Sequence, residues 1–149
     1  MHAAATAGAG FLLAVLWFDL MFDVQVRGHA GEVLPQEVLD SIAAYYRRVT
    51  TQARPMNRLV SVMMLVTVIS VVIEIATTTN PLWLSVGSLL LLLSAIGLAL
   101  SRTFRNAATL GRRQGTVEFR SQLARLIYRD HLYCLAAIVL VIGLQLSAT

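Results

Sequence analysis

The sequence predicts an all-α integral membrane protein in which four helices form a bundle. Three observations indicate it: an apolar composition, four long apolar segments, and arginines confined to the connections between them. The 149 residues are 57% hydrophobic and 13% charged, whereas soluble domains are about 45–50% apolar and about 25% charged. A chain of this length cannot bury so much apolar surface in a water-facing core. We therefore expect one membrane domain over residues 1–149.

The four apolar segments are long enough to cross the bilayer, which takes about 20 helical residues. They cover residues 8–26, 59–77, 82–100 and 132–146. The helix of the last segment is expected to begin earlier, near Thr116. Asn80 is predicted to cap the third helix and Pro81 to be its first residue, so the second and third spans form a hairpin. The first segment contains Asp19 and Asp23 and lacks a basic start, so we interpret it as a span and not a cleavable signal peptide.

All twelve basic residues are arginines, and all lie in or beside the two long connections. The positive-inside rule places these connections in the cytoplasm and both termini on the non-cytoplasmic side. We expect a multi-pass protein of a bacterial inner (plasma) membrane. The arginines are expected to contact anionic lipid headgroups. A nucleic-acid partner is not expected, because it would need a solvated basic face.

Both long connections are predicted to contain amphipathic helices at the headgroup boundary, over residues 35–53 and 116–130. The apolar face of the first consists of Leu39, Ile42, Tyr46 and Val49. That of the second consists of Phe119, Leu123, Leu126 and Ile127. Within the third span, a small-residue face for close packing, in the monomer or across a dimer, is formed by Gly87, Ser94 and Gly97.

Acidic residues within the spans are the strongest functional candidates, because a charge at the bilayer centre costs about 2.5–3.5 kcal/mol on insertion scales. They are Asp19 and Asp23 in the first span and Glu74 in the second. Glu74 belongs to a polar stripe with Thr67, Ser70 and Thr77 that should face the bundle. Matching of depths along the spans predicts a polar cluster at the cytoplasmic end of the bundle, formed by Asp23, Asn57, Arg58 and His131.

Each candidate has a structural and a functional interpretation. Asp23 with Arg58 is an ion pair that fixes packing, or part of a catalytic site with Asp19 and His131. Glu74 is a buried hydrogen-bonded acid or part of a proton path. We expect neither a cofactor nor a metal, because such centres normally need more histidines or Glu-x-x-His pairs.

Two other residues are expected to lie in the core. Cys134 is the only cysteine, which excludes an intramolecular disulfide and favours a small core side chain. Trp17 is expected to pack in the core near the level of Asp19. Nucleotide-binding loops and soluble-enzyme motifs are absent from the sequence.

The layout resembles a group of small four-helix bacterial membrane proteins, some of them grouped with anthrone-oxygenase-like proteins. The resemblance covers most of the chain in layout. The segments that carry it are Trp17-Phe18-Asp19-Leu20-Met21-Phe22-Asp23, Tyr45-Tyr46-Arg47-Arg48, Arg54-Pro55-Met56-Asn57-Arg58 and Tyr128-Arg129-Asp130-His131. The resemblance implies an oxygenase role but assigns no catalytic residue.

Three hypotheses about function follow. The first, which we favour, is a non-catalytic accessory, scaffold or lipid-interacting subunit that forms a homo-oligomer or joins a larger membrane complex. The second is a membrane-embedded enzyme that acts on a lipophilic substrate with Asp19, Asp23 and His131. The third is proton-linked transport by an oligomer, with Glu74 and Asp19 on the path.

Overall fold

Six α-helices make up the chain in the computed structural model, which describes residues 2–52, 54–77 and 81–147. In that part there is no strand. The helices are α1 (His2–Asp23), α2 (Gln36–Arg47), α3 (Arg54–Thr77), α4 (Leu82–Leu98), α5 (Phe104–Gly111) and α6 (Val117–Leu146). A 3₁₀ segment, Val24–Gly28, extends α1, and π-helical turns at Arg48–Gln52 and Ala99–Thr103 follow α2 and α4.

Four helical segments are long and apolar enough to cross a membrane. They are His2–Gly28, Asn57–Thr77, Leu82–Gly111 and Val117–Leu146. Between 22% and 39% of the most apolar stretch of each segment is buried inside the protein, so most of their apolar surface faces outward, as lipid-facing surface does. These segments confirm the prediction of an all-α membrane bundle.

The spans pack around α6, which contacts α1 and α4, while α3 packs on both α1 and α4. Small residues on α1 allow α3 to approach closely. At Gly8, an added Cβ would overlap the hydroxyl group of Thr67 on α3. The core of the bundle consists of Ala5, Ala9, Leu12, Val71, Leu92, Ile138 and Val141. Cys134 is buried in a smaller neighbouring cluster, as predicted.

A second core lies beyond the spans, where α2 and α5 pack on the first half of α6. It includes Leu39, Ile42 and Tyr46 of α2, together with Ala107, Leu110, Ala124 and Ile127. Protein therefore covers the apolar face of α2, and the location of this helix at the headgroup boundary stays a prediction. At Gly111, an added Cβ would lie 2.6 Å from the Arg47 backbone nitrogen, so the glycine allows α5 to contact the α2 backbone.

The predicted apolar face of the second connection is only partly correct. Leu123 and Ile127 are buried, but Phe119 and Leu126 are exposed. The helix is rotated so that Arg120 faces the protein and is 9% exposed. Thr116 caps α6, its hydroxyl group accepting a hydrogen bond from the Phe119 backbone nitrogen.

Within one chain, the small-residue face predicted in the third span packs on another helix near Gly87, where an added Cβ would lie 3.5 Å from Leu144, and packing across a dimer stays a prediction. An added Cβ at Gly97 would meet nothing within 4 Å, and Ser94 is exposed. The buried face of α4 consists instead of Leu84, Ser85, Ser88, Leu92 and Ala95.

Two predictions about single residues are also wrong. Trp17 is 62% exposed and faces away from the core, because the buried residues of α1 lie on another side of the helix. Pro81 immediately precedes the first residue of α4 and is not part of the helix, and its carbonyl group accepts a hydrogen bond from the Leu84 backbone nitrogen. The predicted capping role of Asn80 lies outside the described residues.

Candidate functional site

A buried polar cluster lies where the ends of α1 and α2 meet the middle of α6. We call it the Asp–His–Tyr cluster, and its members are Asp19, Asp23, Tyr45, Tyr46 and His131. The two acids are four residues apart and share one face of α1. The tyrosines come from α2. Packing of the apolar face of α2 turns their hydroxyl groups toward α1.

Asp23 is the centre of the cluster and is fully buried. Tyr46 donates a hydrogen bond of 2.7 Å from its hydroxyl group to Oδ1. The other carboxylate oxygen, Oδ2, lies 2.6 Å from Nδ1 of His131. Because a carboxylate oxygen only accepts, Nδ1 carries the proton of this hydrogen bond. Asp23 therefore fixes the orientation of the imidazole ring.

Asp19 lies beside this arrangement. Tyr45 donates a hydrogen bond of 2.7 Å to its Oδ1, and the Tyr45 ring stacks on Phe22 with centroids 4.1 Å apart. The second oxygen, Oδ2, lies 3.9 Å from Nε2 of His131, which is too far for a direct hydrogen bond. These two atoms are therefore the parts of the cluster with capacity for a further partner.

Both tyrosines are held as hydrogen-bond donors by their surroundings. Burial raises the pKa of the Tyr46 phenol well above its ordinary value, and the carboxylates of Asp23 and Asp19 raise it further. Burial, followed by the charge of Asp19, also raises the pKa of Tyr45. Both causes disfavour a phenolate.

A narrow groove approaches the cluster from between the spans. Its cavity volume is about 60 Å³, enough for a few water molecules, each of which needs roughly 10–15 Å³. Asp19 and His131 supply its polar lining, and the remaining lining is mainly apolar, including Leu12, Leu16 and Ile138. The groove could therefore take water or a slender apolar group beside Asp19 and His131.

The predicted cluster of Asp23, Asn57, Arg58 and His131 is half correct. The contact between Asp23 and His131 is confirmed, but Asn57 and Arg58 are exposed. Asn57 donates to the backbone carbonyl of Thr50 instead. Both residues lie on α3, which presents them to the outside.

The tyrosine donors were missed by the sequence analysis. Tyr46 was recognised as part of the apolar face of α2, but its hydroxyl group was not used. A phenol on a buried face normally finds a hydrogen-bond partner, and the unpaired acids at the end of α1 were the available acceptors. That requirement was the signal that could have found the contact.

Glu74 lies at the opposite end of the bundle, remote from the cluster. It is 1% exposed, and its Oε2 accepts a hydrogen bond of 3.1 Å from Gln145. Gln145 also donates to Ser88, and Nδ1 of His2 lies 3.9 Å from the Glu74 carboxylate. The predicted polar stripe of α3 is buried at Thr67, Ser70 and Glu74 but exposed at Thr77.

A third polar arrangement joins the π-helical turn after α4 to α6 through Asp130. Arg102 donates to both carboxylate oxygens of Asp130, from Nε at 3.0 Å and from a terminal guanidinium nitrogen. Thr103 adds a hydrogen bond of 2.9 Å. Asp130 is therefore fully paired by its neighbours. In the described ranges, no group of three or more His, Cys, Asp or Glu residues is arranged to hold a metal ion.

An all-helical fold with four spans and buried, mutually paired polar residues defines a multi-pass membrane protein. Residues 3–148 match the model of the SHR3 chaperone family, described as ER membrane protein SH3. The chain belongs to this family. Searches of curated proteins and of solved structures found no match. The resemblance to anthrone-oxygenase-like proteins gains no support from the family match.

Proposed function

We propose that the protein is a non-catalytic accessory protein of the membrane that binds transmembrane segments of other proteins in a chaperone-like role. The observation that supports this most directly is the match to a family described as chaperones over residues 3–148. A chaperone of this kind needs a stable bundle and an outward apolar face on which a client helix can pack.

The outer face of α3 fits such a role. Four apolar residues recur there at spacings of three and four, and all are exposed: Leu59, Val62, Val66 and Ile69. This spacing forms a straight seam against which a second helix can pack its side chains. Within membranes, helices associate mainly through such side-chain packing. The seam is thus a reasonable docking face for a client span.

We also propose an orientation. The arginine-rich end, with α2 and α5, would face the cytoplasm, and both termini would lie on the other side. The bacterial inner membrane remains a proposal, and the family description names the ER membrane. The positive-inside rule predicts the same orientation in both. A protease-cleavable tag on each terminus, tested in sealed vesicles and in opened cells, measures it directly.

Site-specific photo-crosslinking tests the client seam, which is the exposed row of Leu59, Val62, Val66 and Ile69 on α3. A photoreactive amino acid replaces Val66 on α3, and a control replaces Leu140, an exposed apolar residue of α6. We expect membrane proteins to be captured through position 66 and lipid to predominate at position 140. Equal capture at both positions would refute a specific seam. Unchanged folded yields of the captured proteins after deletion of the gene would refute the chaperone role.

The Asp–His–Tyr cluster favours a second candidate, an enzyme acting on a lipophilic substrate. The supporting observation is that Asp23 orients His131 while His131 lines a mainly apolar groove, an arrangement suited to a general base. The variant His131→Gln separates the two proposals. If it is stably folded and restores function in a deletion strain, the catalytic proposal fails. If it folds but restores nothing, the accessory proposal is weakened.

A further inference from the structure

An open groove of about 510 Å³ runs along the outer surface between α4 and α6, at the arginine-rich end. It is separate from the Asp–His–Tyr cluster and from the client seam on α3. Its lining combines charged, hydroxyl and apolar side chains: Ser94, Leu98, Arg102, Arg129, Asp130 and Tyr133.

The charged end of the groove is positive. Asp130 is 2% exposed and its carboxylate is occupied by Arg102 and Thr103. The Arg102 side chain is nevertheless 48% exposed, so part of its guanidinium group remains available. Arg129 is exposed and adds a positive charge that Asp130 does not neutralise. An anion at this end would meet two guanidinium groups.

The groove becomes less polar toward the middle of the bundle. Tyr133, one turn beyond Arg129, donates a hydrogen bond of 2.9 Å to the hydroxyl group of Ser94. Leu98 lies on α4 between Ser94 and Arg102, at intervals of one helical turn. Leu90, one further turn along the same face of α4, is 63% exposed. The groove thus runs from guanidinium groups at one end, past Leu98 and the paired hydroxyl groups of Ser94 and Tyr133, to apolar surface at Leu90.

We propose that this groove binds one anionic phospholipid, with its phosphate at Arg102 and Arg129 and an acyl chain along α4. Guanidinium groups bind phosphate oxygens through charge-assisted hydrogen bonds. The guanidinium end of the groove fits a phosphate, and the apolar side chains of Leu98 and Leu90 fit an acyl chain. A soluble phosphate would use only the charged end, whereas a lipid uses the whole length.

Native mass spectrometry of the purified full chain tests the proposal. The protein is reconstituted in nanodiscs of phosphatidylcholine with phosphatidylglycerol at one part in ten, and retained phosphatidylglycerol is measured. We expect Arg129→Gln to lower the apparent affinity about fivefold, the effect of one arginine near a membrane surface. The matched control is Arg112→Gln, an exposed arginine outside the groove. It should change affinity less than Arg129→Gln.

Competition identifies the ligand class. Soluble glycerol phosphate, at millimolar excess, should leave the bound lipid in place, because it lacks the acyl chain. Displacement would assign the groove to free phosphate compounds and overturn the lipid proposal. Equal losses in the Arg129 and Arg112 variants would show only a general charge effect. Tyr133→Phe provides an independent check, because it keeps every charge and should still weaken retention if the hydroxyl groups contact the lipid.

Discussion

Removing the hydroxyl group of Tyr46 tests whether the buried cluster stabilises the fold. Tyr46→Phe keeps the ring in the core and deletes the 2.7 Å hydrogen bond to Asp23, together with the longer 3.4 Å contact with Nδ1 of His131. Hydrogen bonds to charged groups contribute about 1.5–3 kcal/mol, whereas interhelical hydrogen bonds in membrane proteins average about 0.6 and reach about 1.7 kcal/mol. Tyr46 is 2% exposed, and Asp23 keeps its hydrogen bond to His131. We therefore expect a loss of about 1.5 kcal/mol.

Reversible unfolding in mixed micelles, titrated with SDS and followed by circular dichroism, measures the free energy of unfolding. The matched control is Tyr45→Phe, which removes an equally short hydrogen bond at the more exposed Asp19. We expect the control to lose less, because water or detergent can replace its donor. The reasoning fails if Tyr46→Phe is no more destabilising than Tyr45→Phe.

Three further perturbations follow from the structure. The pKa of Tyr45 is raised in the folded state, so the stability that Tyr45 contributes is present below about pH 10 and is lost as the pH rises above that value. In denaturation scans from pH 8 to 11, Tyr45→Phe should therefore lose less stability at alkaline pH than the unmodified protein. Gly111→Ala places a Cβ against the α2 backbone and should lower the free energy of unfolding by about 1–3 kcal/mol. The control Gly143→Ala places its Cβ in open space and should leave the unfolding midpoint nearly unchanged. Gln145→Leu removes the donor to the buried Glu74 carboxylate and should lower the free energy of unfolding by about 1–3 kcal/mol. Wild-type stability in the same titration would contradict this expectation.

The spans were predictable because their apolar character and length depend on the bilayer alone. The contact of Asp23 with His131 was predictable because both lie at one depth, near the start or end of an apolar segment. Helical rise fixes depth along a span, but it does not fix which way a residue faces. Arg58 was predicted at the depth of Asp23 but is exposed, because the outward side of α3 is set by its packing on α1 and α4.

The placement of α2 was not predictable for a different reason. Helical spacing shows that Leu39, Ile42 and Tyr46 share an apolar face, but lipid and protein both satisfy such a face. The decisive contact is made by α5, whose glycine at position 111 allows close approach. Because α5 is distant from α2 in sequence, the spacing of residues within α2 does not show that α5 packs against it.

The pairing of polar groups bears on the choice between accessory protein and enzyme. Asp23, Asp130 and one oxygen of Glu74 are bound by neighbouring side chains within the protein, which joins α1, α3 and the π-helical turn after α4 to α6. Such pairing lets charged residues reside in a bundle whose outer surface stays apolar. Chemistry would need a group that still has capacity for a ligand, and in the described cluster that capacity lies at Nε2 of His131 and Oδ2 of Asp19. A substitution at His131 that preserves the hydrogen bond to Asp23 is therefore the change that best separates a structural cluster from a catalytic one.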